Sequence, residues 1–227
     1  MPQVRVANVD NEFVAPEHHR VSPWLNSPGK RAFDIGLAVL MLPLLFPVIA
    51  IIWFVVRLDG GPGFYGQVRV GRGGQHFTFW KIRTMVEDAD AVLNDLVQSD
   101  PSVAREWHQF QKLQRDPRIT RIGSFLRKTS LDELPQIWNV LRGEMSFVGP
   151  RPFMPTQRDL YDSVPTSSIY YQMRPGVTGL WQISPRNQVG FRERVDYDRQ
   201  YAMSARLSND LKIKAATVWV VLKATGR

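Results

Sequence analysis

KRAFDIGLAVLMLPLLFPVIAIIWFVVRLD, residues 30–59, is the stretch on which the reading of this chain turns. From Ile35 to Val56 it carries no charge. As one straight helix, at 1.5 Å per residue, those residues would reach roughly 33 Å, just enough to cross a bilayer core. The segment starts too deep in the chain for a signal peptide, and no small-residue cleavage site follows it. Two prolines complicate crossing. Pro43 and Pro47 each lack an amide donor and clash with the carbonyl four residues back. A break at Pro47 leaves arms of roughly 18 and 14 Å, neither of which crosses alone. Basic residues flank both ends, Lys30 and Arg31 before, Arg57, Arg69 and Arg72 after. A spanning helix would bias them to one side. These features favour a re-entrant helical hairpin that enters and leaves by the same leaflet. A proline-kinked spanning helix and a buried core helix stay open as alternatives. Asp34 sits just inside the segment, where it can pair with Lys30 or Arg31, or suit the positive end of the helix dipole.

Around this segment the composition is that of a folded, basic protein. The 227 residues include 29 Lys and Arg against 21 Asp and Glu, a net charge of +8, with 44% hydrophobic residues. That apolar content excludes wholesale disorder. The charge points to an anionic partner: nucleic acid, anionic lipid or a phosphorylated small molecule. Zero cysteines exclude a disulfide scaffold, a thiol nucleophile and Cys-based metal sites. The four histidines, His18, His19, His76 and His108, are scattered, so a histidine metal site is not expected. Neither a nucleophile elbow, a Walker loop nor a dinucleotide fingerprint is present.

Residues 1–29, with Pro2, Pro16, Pro23 and Pro28 and no periodicity, read as a loose arm, and 30–227 as a single domain. FYGQVRV (64–70) and QHFTFWKI (75–82) alternate around a Gly71-Arg72-Gly73-Gly74 turn, a hairpin signal. Residues 87–113 look helical with an interruption at Pro101, and helical patterning resumes from Ser124. Between Val148 and Asn187 the chain is rich in Pro and Gly and reads as irregular. Asp210–Lys223 is amphipathic, suited to a membrane interface or to packing on the domain. The expected fold class is α/β, mainly helical with a small β-hairpin.

The densest polar signal is DPRITRIGSFLRKTSLDELPQIWNVLRGEMSFVGPRP, residues 116–152. Ser130-Leu131-Asp132-Glu133 has the form of a capping box, with Ser130 as cap and Glu133 reaching back. The same geometry serves chemistry. A carboxylate at a helix N-terminus stays ionised, and Arg118, Arg121, Arg127 and Lys128 lie close in sequence, which suits attack on a phosphorus whose own charge must be neutralised. The basic residues form no continuous stripe with aromatic stacking groups, so a nucleic-acid partner is not expected.

From Lys30 onward the chain resembles the small monotopic polyprenyl-phosphate phosphoglycosyltransferases of the bacterial sugar transferase family. The stretches that carry the likeness are Lys30-Arg31-Ala32-Phe33-Asp34, Lys81-Ile82-Arg83-Thr84-Met85, Asp116-Pro117-Arg118, Leu126 to Gln136, Gly143 to Pro152 and Arg174 to Gln182. The resemblance implies transfer of hexose 1-phosphate from a UDP-sugar, glucose or galactose, to undecaprenyl phosphate with release of UMP. This is the first membrane step of exopolysaccharide synthesis, at the cytoplasmic face of the bacterial inner membrane. It implies Asp132 as nucleophile of a phosphosugar–aspartyl intermediate and Mg²⁺ ligand, with Glu133 as base or positioning group. Hard oxygen ligands and a diphosphate suit Mg²⁺ on physical grounds as well. Arg127 and Arg151 are the implied phosphate or nucleotide ligands, followed by Lys81, Arg83, Arg118, Arg174 and Arg186. Lys30, Arg31 and Asp34 fall at the lipid head-group level, and the re-entrant helix breaks at Pro47, with Pro43 as an extra proline. Two positions depart from the family pattern: Phe46 replaces the usual Ser, and Ser184-Pro185-Arg186-Asn187 replaces Ser-Gly-Arg-Asn. The sequence does not name the oligomeric state.

Overall fold

Helix α1, Pro28–Arg57, organises the structure. The computed structural model describes residues 21–110, 113–184 and 191–222. The Ser27 hydroxyl accepts from the Lys30 amide at 3.1 Å, and Pro28 takes the first helical position, where a missing donor costs little. α1 runs through Pro43 and Pro47 without interruption, where the sequence led us to expect a break at Pro47. Both prolines still remove a donor from the helix. Packing compensates. Lys30, Asp34, Ala38 and Val56 are buried, and Met41, Leu42, Leu45, Ile49, Ile52 and Trp53 are half-buried between them. Spacings of three and four keep these residues on one stripe, which faces the protein body from end to end. The opposite side is apolar and exposed, with Leu40 at 77%, Leu44 at 70% and Phe46 at 68%.

Both ends of α1 are tied to the same body. At the N-terminal end the Lys30 ammonium meets Asp210 at 2.7 Å and Tyr201 at 3.2 Å. Arg31 donates to the Val140 and Leu141 carbonyls at 2.6 and 2.9 Å. At the C-terminal end Arg83 donates to the Val56, Gly60 and Pro62 carbonyls and to the Asp59 carboxylate. The body also begins before Lys30: a 3-10 turn at Pro23–Asn26 buries Leu25, and the Ser22 hydroxyl bonds the Ala205 carbonyl at 2.6 Å.

The hairpin follows as expected. β1, Phe64–Val70, and β2, His76–Ile82, pair antiparallel from Phe64–Ile82 to Val70–His76. Phe77 and Phe79 pack with Ala38, Ile137, Val140 and Met145, placing the strand between α1 and helix α5, Gln136–Arg142. Helices α2, Ala89–Ser99, and α3, Pro101–Phe110, meet at the expected interruption. Helix α4, Arg121–Thr129, begins three residues before Ser124 because the Thr120 hydroxyl caps it, accepting from the Gly123 amide at 2.8 Å.

The Pro- and Gly-rich region is more ordered than its composition suggests. β3, Ser146–Val148, and β4, Gly176–Thr178, form a parallel pair. At Gly176 a Cβ would stand 2.1 Å from the Gly149 nitrogen, so the two backbones cross only because both residues lack a side chain. Short helices α6, Arg158–Asp162, and α7, Leu180–Ile183, connect to α8, Arg194–Ser204, and α9, Leu207–Leu222. α9 packs on the body: Asp210 and Ile213 are buried, Lys214 lies 4.0 Å from the Phe33 ring centre, and Thr217 meets Thr178 at 2.6 Å. Leu211, Val218 and Trp219 face outward.

Candidate active site

Ser130 begins the site with an unusual backbone. It is left-handed, φ 57°, the one non-glycine residue with positive φ among those described. The reason is local. The Ser130 amide closes the end of α4 on the Leu126 and Arg127 carbonyls, and its side chain makes no capping bond. The capping-box expectation is therefore corrected: Leu131–Glu133 is a single 3-10 turn, and α5 starts only after Pro135. Such conformations cost on the order of 1–3 kcal/mol and cluster at functional sites. Here the turn sends Asp132 and Glu133 toward strand β2.

Three elements bring cations to this turn. The Lys81 ammonium, from β2, stands 2.9 Å from Glu133 Oε1 and 3.4 Å from Asp132 Oδ2. Arg151, beyond β3, donates to Glu133 Oε1 at 2.6 Å and to Oε2 at 3.4 Å. The Gly149–Gly176 crossing fixes where Arg151 emerges, since the Gly149 amide bonds the Thr178 carbonyl and the Gly176 amide the Pro150 carbonyl. Arg127, in the last turn of α4, donates through Nε to the Thr84 hydroxyl at 2.8 Å. Asp132 is buried and Glu133 nearly so.

The two carboxylates are electrostatically unlike. Burial raises the Asp132 pKa from its ordinary value, with Lys81 opposing the rise and Glu133 adding to it. Burial acts on Glu133 too, but Arg151 and Lys81 outweigh it and hold that carboxyl well below its usual value. Glu133 is thus firmly ionised and doubly engaged. Its oxygens are occupied by cations, so Asp132 is the carboxylate of the pair left to meet a substrate or an ion. Among the described residues no group of three carboxylates or histidines surrounds it. Magnesium is commonly held by one or two carboxylates plus substrate phosphates, and this donor set fits that pattern.

Other residues singled out from the sequence lie elsewhere. Arg83 is spent on the end of α1. Arg118 makes a two-pronged pair with Asp116, at 2.8 and 2.7 Å, under Trp107. Arg174 bonds the Gly143 carbonyl at 3.0 Å. Lys30, Arg31 and Asp34 are all engaged with the body; the Asp34 carboxylate accepts from the Phe147 amide at 3.3 Å. Arg186 lies outside the described residues. Two groups were not anticipated. Arg69 sits over the Phe79 ring, and burial together with Arg151 and Arg194 lowers its pKa to about 10. Gln136, fully buried three residues after Glu133, has no partner among the described residues on either amide atom. Arg69 carries no sequence signal beyond strand alternation, whereas Gln136 stood inside the motif.

The family model described as bacterial sugar transferase matches residues 25–224. The chain is 47% identical over 197 residues to a UDP-galactose-lipid carrier transferase of Erwinia amylovora, a match covering 87% of this chain and 41% of that protein. It is 44% identical over 215 residues to the exopolysaccharide production protein ExoY of Sinorhizobium fredii, covering 94% of each. An undecaprenyl-phosphate galactose phosphotransferase of Salmonella typhimurium is 46% identical over 198 residues, covering 87% of this chain and 41% of that protein. The chain therefore spans about two fifths of the length of the first and third relatives and nearly all of the second.

Proposed function

The chain belongs to the bacterial sugar transferase family, and from that premise we propose that it passes hexose 1-phosphate from a UDP-sugar, glucose or galactose, to undecaprenyl phosphate. UMP is released, and exopolysaccharide synthesis begins. Relatives named for undecaprenyl-phosphate galactose and glucose transfer support this substrate pair.

The observation that carries the mechanism is the asymmetric carboxylate pair. An Asp132 carboxylate oxygen attacks the sugar-bearing phosphorus. A phosphorus–oxygen bond forms to Asp132 as the bond to the UMP oxygen breaks. An oxygen of the acceptor phosphate then attacks the same phosphorus and restores the Asp132 carboxylate. Charge on the transferring phosphoryl group is met by Lys81 and Arg127, the largest kind of contribution such a reaction needs. A bound Mg²⁺ at Asp132 would add neutralisation of the diphosphate. Glu133 is a positioning residue in this scheme. A carboxylate held so acidic by Arg151 and Lys81 is a poor proton acceptor at neutral pH, but it fixes Lys81 beside Asp132.

We also propose that the protein is monotopic on the cytoplasmic side of the inner membrane. α1 is long and apolar enough to cross a bilayer. Crossing alone would strip the contacts that tie both its ends and its inward stripe to one body, whereas lying in one leaflet keeps them and buries Leu40, Leu44 and Phe46 in lipid.

Asp132→Asn tests the chemistry. It should abolish UMP release from UDP-sugar plus undecaprenyl phosphate, a loss of at least about 10³-fold, while the protein still associates with membranes. Retained turnover would remove Asp132 as nucleophile.

A further inference from the structure

Between the C-terminal half of α1 and α4 runs an open groove of about 410 Å³, lined by Ile51, Ile52, Val55, Ile122, Phe125 and Leu126, with the exposed Arg121 beside them. Its two walls stand free: Ile51 is 64% and Phe125 60% exposed. An apolar surface of this kind marks an interaction site. Three features identify the occupant. The α1 wall continues the outward apolar stripe, so the groove opens to wherever that stripe meets lipid. The α4 wall leads toward the site, because its last lining residue, Leu126, directly precedes Arg127, which lies roughly 9 Å along the helix axis from Arg121 and about 120° around it. Arg121 supplies positive charge on the way. The opposite end of α1 offers no comparable place, since Lys30, Arg31 and Asp34 are already engaged with the body. A ligand matching this layout is hydrocarbon at one end and phosphorylated at the other. A nucleotide sugar, polar throughout, is not.

We propose that the α1–α4 groove receives the phosphate-proximal isoprene units of the polyprenyl phosphate acceptor, with its phosphate directed past Arg121 toward Arg127. The proposal rests on the transferase reading above and names how that site takes its lipid substrate.

The test is photo-crosslinking of the full chain, in vesicles of neutral and anionic phospholipid, with a polyprenyl phosphate carrying a diazirine near its phosphate. Adducts are expected on Ile51, Ile52, Val55, Ile122, Phe125 and Leu126, suppressed by undecaprenyl phosphate and not by excess anionic phospholipid. Phe125→Glu and Ile51→Glu, both at exposed positions, should each cut labelling at least tenfold. Phe54→Glu, equally exposed on α1 but outside the groove, should stay within twofold of the parent. Labelling spread along the outer face of α1, equal losses in all three variants, or equal competition by phospholipid would overturn the groove. Labelling needs no turnover. A labelled groove without UMP release would therefore sink the transferase reading alone, and UMP release with labelling elsewhere would sink the groove alone.

Discussion

Lys81 reaches both members of the carboxylate pair, and its removal separates their behaviour. In the proposed mechanism Asp132 must be ionised to attack, and its pKa is the outcome of burial raising it and Lys81 lowering it. Lys81→Met deletes the lowering influence and leaves the burial. The Asp132 pKa then rises further, so activity is lost at a higher pH as the solution is acidified. The acid limb of kcat/KM should move up by roughly 1 unit or more, the size expected for one close opposite charge. An unmoved limb would mean that another group governs ionisation. The same residue shows what a sequence conceals. Lys81, Arg83, Arg118, Arg127, Arg151 and Arg174 are alike as letters, and each stands in a motif. Partners decide among them: Arg83 meets carbonyls and Asp59, Arg174 a carbonyl, Arg118 meets Asp116, Lys81 meets both carboxylates of the pair, and Arg151 meets Glu133. Charge is legible in a sequence; what neutralises it over a separation of fifty residues is not.

At the level of elements, the short β3–β4 pair is the part most sensitive to a single atom. Gly176→Ala would place a methyl group inside the Gly149 backbone, which must give way. A loss of order 3 kcal/mol, or roughly 6–12 °C in Tm, is expected, with activity falling as Arg151 leaves Glu133. Gly36→Ala is the control, because beyond the neighbouring backbone of its own helix no atom lies within 4 Å of the new methyl, and its Tm should not fall. The hairpin was readable because alternation and a Gly-rich turn act locally. The parallel pair was not, because its two strands are separated by 27 residues and each is only three residues long. Around Ser130 the local pattern favoured a helix start, but closing α4 and the arrival of Pro135 outweighed it. α1 was legible as an apolar element and not as an uninterrupted one. Proline's local cost was visible in the sequence, whereas the inward stripe that compensates for it is a tertiary effect.

For the whole molecule, the absence of cysteine makes topology directly measurable. Asn26→Cys and Arg72→Cys lie on exposed positions flanking α1. Both should escape an impermeant thiol reagent in sealed cells and react once the membrane is opened to the cytoplasmic side. Labelling of one of them from outside would make α1 a spanning helix. The arrangement of β2 carries this further. Phe79 and Lys81 stand two apart on β2, and Arg83 follows its last residue: the first packs in the cluster with Ala38, the second holds Asp132 and Glu133, and the third grips the end of α1. The helix is consequently packed into the body rather than appended to it. A chain beginning at Leu58 would uncover Phe77, Phe79, Ile82, Ile137 and Val140 and lose both supports on either side of Lys81. It should accumulate as aggregate and release no UMP; recovery of a soluble, active fragment would show that the enzyme and its lipid-facing helix are separable modules after all.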